Sequence, residues 1–104
     1  MTSRADLKGI YQGETKLVPF NFSSDLASGE TISTKAVTAT VYSGTDASPS
    51  AVISGSATSS GAIVTQKVIG QTLGVIYELL CEITTSLGQT LRQVGLLAVI
   101  PREP

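Results

Sequence analysis

Gly74-Val75-Ile76-Tyr77-Glu78-Leu79-Leu80-Cys81-Glu82-Ile83-Thr84-Thr85-Ser86-Leu87-Gly88-Gln89, continuing to Ile100, is the stretch whose reading sets the fold class. Val75, Tyr77, Leu79, Cys81 and Ile83 share one face and Glu78, Glu82 and Thr84 the other, the period of two of a pleated strand. Thr85 to Gln89 is a glycine-containing turn, and Gln89 to Ile100 reads as the returning strand. The outward face of this pair also carries Ile76 and Leu80, and the last strand sets Leu91, Leu97 and Val99 opposite Val94, Leu96, Ala98 and Ile100. Both faces are therefore partly apolar. Central strands covered on two sides would do this, and so would a partner subunit lying on the outer face.

Upstream, Val37, Ala39 and Val41 alternate with Thr38, Thr40 and Tyr42, a β-branched strand, and Gly44 to Ser50 is a loop. Ala51 to Ser54 and Ala62 to Ile69 read as short strands separated by the small residues Gly55 to Gly61. Ser23 to Ile32 allows one turn of helix stopped by Gly29. Glu14 to Phe22 alternates weakly, and Pro19, which cannot donate to a ladder, assigns that strand to an edge or a bulge. Gly9 to Gly13 fits an arm or a first edge strand. Six or seven strands at short spacing, with no room for a crossover helix, predict an all-β fold: an immunoglobulin-like antiparallel β-sandwich of about seven strands. The expected divisions are an N-terminal arm or edge strand at 1–13, the sandwich at 14–101 and a tail at 102–104.

A chain of 104 residues is one domain with one modest core. Only 14% of the residues are charged, the net charge is -1, and the mean hydropathy is +0.25. Hydroxyls repel neighbouring molecules less than like charges do, so this surface suits life inside an assembly; the same composition also follows from the strand propensity of Thr and Val. The cations Arg4, Lys8, Lys16, Lys35, Lys67, Arg92 and Arg102 are scattered and form no stripe for phosphates, which argues against nucleic acid. Residues 1–9 lack the apolar run of a secretory signal, and no window is long and apolar enough for a membrane helix. The expectation is synthesis in the cytosol without membrane insertion.

Enzyme chemistry finds few parts here. The chain has no histidine and one cysteine, Cys81, which falls mid-strand on the apolar face and reads as a buried thiol. Glu78 and Glu82 are four apart on a strand, roughly 13 Å along the chain, too far for a retaining acid pair or one metal ion. The glycines match no phosphate or dinucleotide loop. No catalytic, metal or cofactor site is expected. Tyr11, Tyr42 and Tyr77 are the only aromatic platforms a sugar could use besides two phenylalanines in the core pattern, and Tyr77 sits in the core pattern in the manner of a corner tyrosine.

The run from Gly74 through Thr84-Thr85-Ser86-Leu87-Gly88-Gln89-Thr90, together with Leu26-Ala27-Ser28-Gly29-Glu30-Thr31-Ile32 upstream, resembles small virion proteins of tailed bacteriophages in the fibre-tail adaptor group. The resemblance implies an immunoglobulin-like sandwich and a non-enzymatic structural part of the virion that joins tail and fibres. Its partners would be other virion proteins of the tail ring, fibre or capsid, with several copies per particle adding weak contacts as avidity. Capsid decoration is the alternative within that class, and a carbohydrate or host-surface binding module the alternative outside it. The expected interface residues lie at the chain ends: Leu7, Ile10 and Tyr11 as an arm, and Pro101 and Arg102 beyond the last strand. Frayed termini are the competing reading of the same residues.

Overall fold

The computed structural model of the protein describes residues 3–6 by their backbone and residues 9–100 in full. Eight strands occur among them: β1 (Ser3–Asp6), β2 (Ile10–Tyr11), β3 (Thr15–Asn21), β4 (Ile32–Ser43), β5 (Ile53–Ser60), β6 (Ile63–Ile69), β7 (Ile76–Thr85) and β8 (Thr90–Ile100). One sheet has the order β1-β8-β7-β4, with β2 also paired to β8, and the other has the order β3-β6-β5. β1 and β2 follow one another along the same edge of β8, Ser3 to Asp6 beside Gln93 to Leu96 and then Ile10 and Tyr11 beside Val99 and Ile100. They occupy a single strand position, so the sandwich has seven. The placement of β6 between β3 and β5, and of β7 between β4 and β8, is immunoglobulin-like, but the first strand position pairs with β8 and not with β3, so the sheet layout is not the constant-type one. All pairings are antiparallel except those of β1 and β2, which run parallel to β8.

The alternation read in β7 is realised residue by residue. Tyr77, Leu79, Cys81, Ile83 and Thr85 are buried between the sheets, while Ile76, Glu78, Leu80, Glu82 and Thr84 are half-buried on the outer face. Phe20, Phe22, Val64, Val68 and Val52 meet them from the other sheet and its 3₁₀ turn. Each fully buried Leu, Val or Phe contributes about 1.5–3 kcal/mol from water exclusion. On the outer face, register places Leu80 beside Val94, Glu78 beside Leu96 and Ile76 beside Ala98, so the apolar outward residues form one row across β7 and β8. β3, carrying Pro19, is an edge strand as expected.

Two local expectations are corrected. Ser23 to Ile32 contains no helix; Asp25 and Leu26 both donate to the Phe22 carbonyl (2.9 and 3.2 Å), and the chain passes on through turns to Gly29, whose φ is +83°. The helical turn lies instead at Pro49–Val52, where proline occupies the first turn of a 3₁₀ helix. Gly55 to Ser60 is not a connector but the body of β5, and the hairpin turns through Gly61 and Ala62 alone, with Gly61 at φ +59°. The register of β5 slips between Ser54 and Thr58, and this bulge hides the strand from a pattern reading.

The bulge is repaired by one side chain. Gln66, 1% exposed on β6, donates its amide to the carbonyls of Ser54 (3.2 Å), Gly55 (3.1 Å) and Lys67 (2.8 Å). It supplies hydrogen bonds where the slipped ladder cannot.

Candidate interaction surface

The two ends of the sandwich differ in what they present. At one end β2 and β8 finish side by side, β3 begins, and the β6–β7 connection crosses over. Ile10, paired with Val99, is fully buried in the core, whereas Tyr11 and its neighbour Ile100 are 37% and 38% exposed. Leu73, 48% exposed, belongs to the same end, because Gly74 donates to the Val99 carbonyl (3.1 Å). Of the expected site residues, Tyr11 thus presents surface and Ile10 faces inward; Leu7, Pro101 and Arg102 lie outside the described residues. In the sequence Ile100 ends the last strand and Leu73 falls between the strand readings, and only tertiary structure brings them to Tyr11's end.

This end is braced from within. Tyr11 N–H donates to Glu14 Oε1 (2.9 Å), and Glu14 N–H donates back to the Tyr11 carbonyl (2.9 Å). Gly13 N–H donates to the Gly70 carbonyl and Gly70 N–H to the Glu14 carbonyl, both at 2.9 Å. A Cβ on Gly70 would stand 2.3 Å from the Tyr11 carbonyl oxygen, so only glycine lets the two chains approach. Residues 11–14 line a shallow open depression of about 420 Å³.

Tyr77 is the second brace. Its hydroxyl accepts from Thr72 N–H (3.1 Å), five residues upstream, and donates to Asp46 Oδ2 (2.6 Å). That return bond to the backbone before the strand is the corner-tyrosine arrangement. Asp46 also accepts from Ser48 N–H (2.9 Å), so the loop after β4 and the β6–β7 connection are tied at one hydroxyl. The Tyr77 hydrogen bond, and then the Ser48 amide, hold the Asp46 carboxyl below its ordinary range, while burial and then Asp46 push the Tyr77 phenol up.

At the opposite end Glu30, 6% exposed, is surrounded by donors. Thr85 Oγ1 donates to its Oε2 in a short bond, Ala27 N–H donates to Oε1 (2.9 Å), and Gln89 Nε2 reaches Oε2 (3.0 Å). Beside it Thr31 N–H donates to Ser86 Oγ (3.0 Å) and Ser86 N–H to the Thr31 carbonyl (2.9 Å). The Thr85 hydroxyl, and after it the Ala27 amide, lower the Glu30 pKa. The two motifs read separately along the chain are here one clasp. Every member of it is satisfied internally, which makes it a structural site and not a reactive one.

Outside these braces, the described residues include one cysteine and one surface ion pair. Burial pushes the Cys81 thiol up to about 12, which keeps it protonated at neutral pH. Glu82 pairs with Arg92 (2.6 Å) on the half-exposed outer face, an ion pair that contributes about 1 kcal/mol or less. Among the described residues no three His, Cys, Asp or Glu side chains converge on a point that would hold a metal ion.

The protein is thus a small immunoglobulin-like sandwich braced at both ends, with exposed apolar side chains at each: Tyr11, Leu73 and Ile100 at one, Ile63 and Leu87 at the other. The chain belongs to the family described as podophage GP4 fiber-tail adaptor protein gp77, whose model matches residues 12–97. A comparison with individually curated proteins finds no match. The match spans both the Glu30 clasp and the Tyr77 corner, and it assigns the protein a structural role in the phage tail and fibre apparatus.

Proposed function

We propose that this protein joins fibre to tail in the virion as a non-enzymatic adaptor, docking through the end of the sandwich where β2 and β8 finish. Tyr11, Ile100 and Leu73 form the apolar centre of the contact, and the chain-end residues Leu7, Pro101 and Arg102 are proposed to contribute to it. The family match over 12–97 carries this reading, and the exposed rim at a braced end supports the choice of surface. Aromatic and aliphatic anchors in a rigid frame lose little entropy on docking. Several copies on a symmetric tail ring then multiply modest single contacts. Nothing in the family match supports capsid decoration.

The test is a phage carrying Tyr11→Asp together with Ile100→Asp. Both side chains are over a third exposed, so the fold is expected to survive. The expected result is intact heads and tails with few fibres in negative-stain micrographs. Normal fibre numbers on these particles would remove the proposed surface.

A further inference from the structure

Among the described residues the sandwich has four open sheet edges, and three of them are guarded. β1 and β2 are four and two residues long, β3 carries Pro19 near its middle, and β5 is broken by a bulge between Ser54 and Thr58. Short strands, proline and bulges are the devices that prevent edge-to-edge pairing. β4 is the exception: it is twelve residues long, and Thr34 to Val41 run in unbroken register with β7, its irregularities confined to the two ends. Those eight residues expose roughly 26 Å of unpaired backbone edge, with one charge, Lys35, and no proline.

We infer that the β4 edge pairs with the β4 edge of a second copy of this chain, antiparallel about a two-fold axis near Val37 and Thr38. Two facts favour a second copy as occupant. The first is charge. Continuing the sheet requires same-face residues to oppose, which puts the axis on a residue, and the fullest overlap of Thr34 to Val41 puts it on Val37 or on Thr38. Lys35 then faces Ala39 or Val41 of the other copy and never its own twin. The second is fit: with the axis on Thr38, Thr38 meets Thr38 and Ala36 meets Thr40, small neutral pairs on an exposed face. Beside the edge, Lys35, Val37, Ile53 and Ala57 border an open groove of about 400 Å³ between β4 and β5, which a neighbouring copy would cover. This inference stands apart from the tail-adaptor reading, which neither requires nor forbids it.

The test is sedimentation velocity of the full chain from micromolar to near-millimolar concentration, with amide hydrogen exchange of β4 at both extremes. The expected result is a shift from the 10.7 kDa species to twice that mass, with β4 amides slowing as the dimer fills. Ala36→Lys with Thr38→Lys changes exposed positions only and opposes Lys to Lys for either axis; it should weaken the dimer roughly tenfold or more while circular dichroism stays that of the parent. A single 10.7 kDa species throughout would overturn the inference, including the case in which β4 amides slow only when other virion proteins are added, which would give the edge to one of them. A dimer unaffected by the double substitution, or abolished by Tyr11→Asp, would overturn it equally.

Discussion

Glu30 and Tyr77 show how single residues hold the two ends. Glu30 sits where three donors converge, the nearby Ala27 amide and two from far along the chain, Thr85 and Gln89, 55 and 59 positions away. Its folded pKa is depressed, so the stability it contributes is complete above the unfolded value near 4.5 and is lost as pH falls through the folded value; Asp46, with an ordinary value of 3.8, acts in the same sense lower down. Urea midpoints are therefore expected to drop on acidification below about pH 4.5, and Glu30→Gln should lower the midpoint at pH 7 and flatten that drop. An unchanged acid profile in the variant would mean the clasp is not the titrating element. Tyr77→Phe removes the partner of both Thr72 N–H and Asp46 and is expected to cost about 1–3 kcal/mol, read as a lower midpoint at constant slope. The corner role of Tyr77 was legible from its place at the start of a strand. Glu30 was not, because a carboxylate after a glycine reads as solvated until Thr85 and Gln89 are brought to it.

At the scale of elements, legibility follows side-chain size. β3, β6, β7 and β8 carry Val, Ile, Leu or Phe at alternate positions, and their pattern survives in the burial of each strand. β5 carries Gly, Ser, Ala and Thr; with no large side chain to alternate, it looks like a linker, and its pairing is decided by β6 and by the Gln66 amide. Gln66→Val should leave the Ser54 and Gly55 carbonyls without their donor and destabilise the fold by on the order of 2 kcal/mol, with faster amide exchange confined first to β5. Exchange accelerating uniformly instead would contradict a local role. Gly70→Ala forces the β6–β7 connection away from the Tyr11 carbonyl; the expected outcome is a lower midpoint together with altered Tyr11 fluorescence or chemical shifts, since strain and surface share that contact.

The molecule as a whole is a rod of 48 × 21 × 21 Å with its braces at opposite ends. β7 runs the length between them, from Ile76 near the Tyr77 corner to Thr85 in the Glu30 clasp. That layout suits a spacer that docks by one end and keeps its shape under load. With a net charge of -1, long-range repulsion contributes little, and contacts made by hydroxyls and apolar rims are expected to be insensitive to salt. The central claim is that this protein works at the tail. Its most direct test is immunogold electron microscopy of virions with antibody raised against the folded chain: gold confined to the tail, near the fibre bases, is the predicted result, and gold spread over the head, or particles that carry none, would contradict it.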